Sequence, residues 1–195
     1  MYKRIRNYLR NRTIIDYVPE IIEEPEFKLL EISSAWKGHD LIIRDLITRF
    51  NLKTENCLEF GVEFGFSTVA LSSYFDKVIG VDLFTGDIHT SNKKYHYEDT
   101  VNRLAPFKNI NLIRADYKEY IKNDTQHYNL IHVDIVHTYK DTYDCGLWSA
   151  EHSDCTIFHD TESFSDVRDA VYDIAKKTGK KFYNYKKHYG LGIIV

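Results

Sequence analysis

Apolar and polar positions along this chain fall into short blocks whose period switches between that of a buried strand and that of an amphipathic helix. From Asp40 to Phe50 the apolar residues Leu41, Ile42, Leu46, Ile47 and Phe50 share one helical face, with Arg44, Asp45, Thr48 and Arg49 elsewhere. That spacing predicts a helix packed on a sheet edge. A short apolar run at about 56–60 predicts a strand, and two glycines then break it. Apolar residues resume at helical spacing through Phe66, Val69, Ala70, Ser73 and Tyr74, predicting a helix over about 66–75. A second strand follows at about 77–82. The polar stretch from Leu83 to Lys108 contains one helical pattern, from about Tyr95 to Leu104. Further strands are predicted at Ile110 to Arg114, Tyr128 to Asp134 and Cys155 to Phe158. Helices are predicted from Tyr139 to Ala150 and from Ser165 to Lys177, with Gly179 placed as a C-terminal cap. Lys181 to Tyr185 and Gly190 to Val195 make a closing pair of strands joined by a short link.

Strands alternating with helices at this spacing predict an α/β fold of three layers, with a Rossmann-like sheet covered on both faces. The sheet is expected to be mostly parallel, with an antiparallel strand at the C-terminus. Residues 1–38 carry little periodic signal, and Pro19 and Pro25 flank an acidic segment. They are read as an N-terminal extension that lids the site or contacts a second copy of the chain in a homodimer, ahead of a single domain over 39–195. No internal repeat or low-complexity tract stands out.

Composition narrows the class of partner. With 195 residues, 43% hydrophobic content and 28% charged content, the chain has the make-up of one soluble globular domain. A net charge of −3 with the two signs interleaved gives no electrostatic case for a nucleic-acid or membrane partner. The three cysteines stand far apart with no C-x-x-C pair, which suggests reduced thiols in a cytoplasmic protein. The basic start from Met1 to Arg6 is followed by no apolar core segment, so it reads as a solvated helix or tail rather than a signal peptide.

Candidate chemistry begins at the glycine turn after the first long strand. A strand that passes through glycines into a helix leaves backbone N–H groups pointing at one spot, where they can hold a carboxylate or phosphate. Glycine is expected there because a Cβ would keep a ligand from the backbone. Twenty-one residues after Gly61, Asp82 ends the next strand, where a carboxylate can accept both hydroxyls of a ribose. A nicotinamide enzyme and a methyltransferase using S-adenosylmethionine (SAM) both fit these two features. Four predicted strands end in an acid, Asp82, Asp116, Asp134 and Asp160, and four together suggest a ligand-bearing rim more than four helix caps.

The glycine spacing separates the two readings. Dinucleotide sites use G-x-G-x-x-G, whereas the run here is Glu59-x-Gly61-x-x-x-Gly65-x-Ser67. This E-x-G-x-x-x-G-x-S resembles the first motif of class I SAM-dependent methyltransferases, and within them the metal-dependent O-methyltransferases of the catechol type and their sugar-modifying, macrocin-type relatives. The stretch Asp134-Ile135-Val136-His137 is similar to that family's D-x-D-H segment, and Phe158-His159-Asp160-Thr161 to its F-H-D-T ending. The resemblance implies that Glu59, Gly61, Gly65 and Ser67 hold the amino-acid half of SAM and that Asp82 takes the ribose hydroxyls. Asp116 would lie near the adenine, although it could as easily cap the helix that begins there. It further implies a divalent cation, Mg²⁺ or Mn²⁺, on Asp134, His159 and Asp160, with His137 as general base. His159 could instead be a capping residue. Val136 stands where the family's second acid is usual. The acceptor implied is a hydroxyl of a small polyhydroxylated molecule, a sugar or glycan ahead of a catechol. Tyr139, Trp148 and Phe164 are expected to pack in the core or between helices. A SAM- or nucleotide-binding protein without turnover, and an NAD-dependent oxidoreductase, are the alternatives.

Overall fold

The computed structural model describes residues 13–86 and 95–195. Eight strands form one sheet: β1 (Ile15–Asp16), β2 (Cys57–Phe60), β3 (Val78–Asp82), β4 (Ile110–Arg114), β5 (Tyr128–Val133), β6 (Ser153–His159), β7 (Phe182–Tyr185) and β8 (Leu191–Ile194). Their order is β1-β7-β8-β6-β5-β2-β3-β4. Only β8 runs against the rest, antiparallel to both β6 and β7, while every other pairing is parallel. Every residue of β2, β5 and β8 is buried, so these strands are largely apolar rather than alternating, with Glu59, Asn129 and His132 as buried polar exceptions.

Among the described residues six α-helices cover the sheet: α1 (Ile43–Phe50), α2 (Phe66–Ser72), α3 (Tyr97–Leu104), α4 (Tyr117–Asn123), α5 (Tyr139–Glu151) and α6 (Ser165–Thr178). One apolar layer gathers Leu46 of α1, Val69 and Leu71 of α2 and Leu104 of α3. On the opposite layer sit Tyr117 of α4, Cys145 of α5 and Val171 and Ile174 of α6. This is the three-layer arrangement expected. The helix expected from Asp40 opens as a 3-10 turn, Asp40–Ile42, before α1. The helix expected to reach residue 75 stops at Ser72, with the N–H of Ser73 bonded back to Ala70 at 3.2 Å and that of Tyr74 to Leu71 at 3.0 Å. Helix α4 is the helix that Asp116 was expected to cap; its extent is not legible in the sequence, because only Tyr117, Tyr120 and Ile121 mark its inner face.

Residues 13–38, read as part of an extension, are built into the main body. Strand β1 pairs with β7, and Tyr17, Leu29 and Trp36 are buried in the same core as α1 and α2. The phenol of Tyr17 donates to Asp45, whose other oxygen accepts the N–H groups of Glu20 at 3.0 Å and Ile21 at 2.9 Å. Arg49 closes the arrangement, 3.3 Å from Asp45 and 4.5 Å above the Tyr17 ring. The basic start from Met1 to Arg6 lies outside the described residues.

The chain leaves β2 toward β3 on one side and returns as β5 on the other, so the strand order reverses between β2 and β5. Open α/β sheets bind ligands beyond the carboxyl ends of strands at such a reversal. Gly61 and Asp134 are the residues that stand there, with the N–H of Asp134 bonded to the carbonyl of Phe60 at 2.8 Å. Among the described residues no helix is long and apolar enough to cross a membrane.

Candidate active site

A cavity of about 630 Å³ opens over the carboxyl ends of β2 to β6, and that volume lies within the usual range for small-molecule sites. On the β4 side it is lined by Ala115, Asp116 and Tyr117, in the middle by Gly61, Ser67 and Asp82, and on the β6 side by His137, Asp160 and Phe164. Ile32 to Trp36 add a wall from the N-terminal segment.

The glycine turn is shaped by its protein neighbours. Gly61 has φ +90°, and a Cβ there would stand 1.7 Å from the carbonyl oxygen of Asp134. Gly65, at φ +89°, caps α2, and its Cβ would meet Leu104 at 2.6 Å. The glycines thus permit a left-handed backbone and the close approach of β5 and α3. The fold itself requires these glycines, independently of any ligand. The loop N–H groups expected to be free are also partly committed, since Val62 and Glu63 each donate to Asp82 Oδ2 at 2.8 Å. Asp82 Oδ1 takes the N–H of Phe84 at 2.7 Å. A carboxylate offers about four acceptor sites, so Asp82 moulds the loop and retains room for a hydroxyl.

Glu59 does not reach the cavity wall. It is fully buried beneath the loop, accepting a hydrogen bond from Thr68 and lying 2.8 Å from His132 Nδ1. Asp116 caps α4, accepting the N–H of Lys118 at 2.8 Å, and also lines the cavity. Nearby, Asp141 takes Tyr117 Oη at 2.9 Å, Thr138 Oγ1 at 2.7 Å and Lys118 Nζ at 2.8 Å, tying the start of α4 to the start of α5. Burial works against its charge, but these donors hold the Asp141 carboxyl down at about 2.

On the β6 side two carboxylates and two imidazoles converge. His137 Nε2 is 3.0 Å from Asp160 Oδ2 and 3.5 Å from Asp134 Oδ1. His159 Nδ1 is 3.1 Å from Asp160 Oδ2 and 3.4 Å from Asp134 Oδ2. Burial alone would lower both histidines, yet the adjacent carboxylates raise His137 to about 9 and His159 to about 10. Burial in turn would raise the acids, but the two imidazoliums bring Asp160 to about 2 and hold Asp134 well below the usual carboxylate range. Asp160 adopts φ +66°, an uncommon conformation for a side-chain-bearing residue, which aims its carboxylate at this cluster.

Asp134, His137 and Asp160 each offer a ligand atom within 4.8 Å of the others. Two carboxylates and an imidazole in that space suit a divalent cation, whose charge would take over the balancing of the two acids from the imidazoles beside them. His159, expected as a third ligand, stands outside this group, buried against His39 with ring centroids 5.1 Å apart. Phe164, expected to pack in the core, lines the cavity and stacks on His137 at 4.3 Å and 17°. Tyr139 stacks on Tyr143 and Trp148 packs on Phe60 and His152, as expected of packing residues. The wall from Ile32 to Trp36 lies in the stretch read as a lid, but sequence reasoning singled out none of its residues, nor the buried His132. The one available signal was Trp36, a large apolar residue beside the polar run Lys37 to Asp40.

A family model described as a methyltransferase domain matches residues 58–161. No curated protein sequence matches the chain. Solved structures do. The O-methyltransferase TomG from Streptomyces achromogenes, involved in tomaymycin synthesis and solved with SAM, is 14% identical, with 90% of this chain and 92% of that one covered and a TM-score of 0.58. An O-methyltransferase from Bacillus cereus in complex with S-adenosylhomocysteine (SAH) is 11% identical over 86% of this chain and 84% of that one, with a TM-score of 0.57. Fibrillarin from Aeropyrum pernix, with natively bound SAM, is 11% identical over 74% and 67%, with a TM-score of 0.53. At such identities the likeness is one of fold.

Proposed function

Because this chain belongs to the methyltransferase-domain family, matched over residues 58–161, we propose that it transfers the methyl group of SAM to a hydroxyl oxygen of a small polyhydroxylated acceptor. A sugar or glycan is favoured over a catechol. The observation that carries the reading is the convergence, in one cavity at the reversal of strand order, of the Gly61 loop braced by Asp82 with the cluster of Asp134, His137 and Asp160.

In this reading Gly61, Gly65 and Ser67 border the methionine half of the donor, Asp82 takes a ribose hydroxyl with its remaining acceptor capacity, and Asp116 borders the adenine. Glu59 acts from beneath, through Thr68 and His132, rather than by contact. Asp134 and Asp160 hold a divalent cation, Mg²⁺ or Mn²⁺, which lowers the pKa of an acceptor hydroxyl and orients it. With a cation on the two acids, the charge that keeps His137 protonated is cancelled; the neutral imidazole, steadied by Phe164, then takes the proton from that hydroxyl as the oxygen attacks the methyl carbon and the carbon–sulfur bond breaks, leaving SAH. His159 donates toward the same two carboxylates and orients them. Alignment of oxygen, carbon and sulfur supplies much of the remaining acceleration. The buried free thiols of Cys57, Cys145 and Cys155 support a reducing compartment such as the cytoplasm.

Val136, at the position of the family's usual second acid, favours one rival, a donor-binding protein without turnover. Detection of SAH formed from SAM with a panel of glycans and catechols, with and without chelator, distinguishes them. The proposal expects chelator-sensitive turnover on a polyhydroxylated member of the panel. SAM binding with no turnover on any member favours the rival.

A further inference from the structure

Beneath the cavity runs a buried polar chain that neither the motif nor the metal cluster accounts for. The indole Nε1 of Trp36 donates to His132 Nε2 at 3.1 Å. His132 Nδ1 lies 2.8 Å from Glu59 Oε1, and Thr68 Oγ1 donates to Glu59 Oε2. Trp36 is 2% exposed and the other three are fully buried. An indole N–H can only donate, so His132 Nε2 must accept, its proton must sit on Nδ1, and that N–H must point at Glu59. Each member therefore has a fixed donor or acceptor role, and a partly satisfied version would be costly in so dry a place.

The four residues reach four parts of the site. Trp36 closes the wall begun at Ile32, and Glu59 stands two residues before Gly61. His132 stands two residues before Asp134, and Thr68 follows the cavity-lining Ser67. We propose that Trp36 is a positioning residue for methyl transfer: through His132 and Glu59 it clamps the N-terminal wall onto the donor loop and sets that loop's shape before the donor arrives. The inference rests on the donor-site reading above. It assigns residues 32–36 to the donor site as a fixed wall that the clamp keeps closed.

Trp36→Phe keeps an aromatic ring in place and removes only the donor. Loss of one buried hydrogen bond that leaves an acceptor unpaired predicts SAH affinity about tenfold weaker by calorimetry. His132→Gln, which can accept from the indole and donate to Glu59, is expected to keep affinity closer to wild type than His132→Leu. A long-range proton–nitrogen spectrum of the wild-type chain, with the His132 signals assigned by their loss in His132→Gln, is expected to place the proton on Nδ1. In Trp36→Phe that tautomer should give way to a mixture, a change that a purely structural role for the ring would not produce. SAH affinity of Trp36→Phe within twofold of wild type, or a wild-type proton on Nε2, overturns the proposal. A wild type that ignores SAH defeats the functional reading itself, while the ligand-free spectrum still decides the network. Should Trp36→Phe fail to fold, the same wild-type spectrum decides it.

Discussion

Replacing Gly61 by alanine tests how the site is assembled, because the same substitution at Gly179 isolates one of its two costs. Both glycines have positive φ, +90° and +73°, so alanine at either pays about 1–2 kcal/mol for the left-handed backbone. At Gly179 nothing lies within 4 Å, and that strain should be the whole effect. At Gly61 the new Cβ would stand 1.7 Å from the carbonyl oxygen of Asp134, where contacts under 3.0 Å essentially never occur. Backbone must yield on one side, and the ends of β2 and β5 must part by more than an ångström. The bond from the Asp134 N–H to Phe60 at 2.8 Å is then stretched or lost, adding about 1–3 kcal/mol if either group is left buried and unpaired. Gly61→Ala should therefore lose about 2–5 kcal/mol, and Gly179→Ala about 1–2 kcal/mol. For a chain of this size that means a Tm lowered by roughly 10 °C against a few degrees. Urea denaturation followed by circular dichroism, with m compared across the variants, measures both. Equal losses at the two positions would refute the close-approach argument.

Other consequences are separable. Asp82→Ala strips the partner from three backbone N–H groups, those of Val62, Glu63 and Phe84; it should cost about 2 kcal/mol in urea denaturation and weaken SAH binding at least tenfold in calorimetry. Asp160→Asn removes one of the two carboxylates of the metal cluster, so Mn²⁺ binding followed by electron paramagnetic resonance should fall by an order of magnitude or more, with SAH affinity little changed. Asp141 is depressed to about 2 in the folded chain, so its contribution is present above the ordinary carboxylate range and is lost as pH falls through it. Asp141→Asn should accordingly cost about 2 kcal/mol near neutrality and progressively less in acid, in a pH series of urea titrations.

The sheet was legible because its central strands are buried on both faces and its helices carry continuous apolar stripes. Strand β1 was not, since two residues have no period, and its place beside β7 is set by contacts such as Tyr17 with Asp45 far along the chain. The acids at strand ends were found because the carboxyl end of a parallel strand is where this fold puts ligands. Their grouping was harder to read. Nothing in the spacing of Asp134, His137, His159 and Asp160 says that both imidazoles converge on the two acids, or that His159 also packs on His39. Glu59 was read as a contact because it precedes the glycines, yet the partners that bury it, Thr68 and His132, come from other elements. Phe164 carries only an apolar signal in the sequence, and its stacking on His137 depends on the turn that Asp160 makes with φ +66°.

The central claim is that the cavity between the ends of β2 and β5 is shaped to hold a methyl donor. Calorimetric titration of the full chain with SAH, with NAD as the control ligand, tests it most directly. The account predicts saturable binding of SAH that is weakened in Asp82→Ala, and no heat with NAD. Binding of NAD in place of SAH, or no heat from SAH at millimolar concentration, would contradict it.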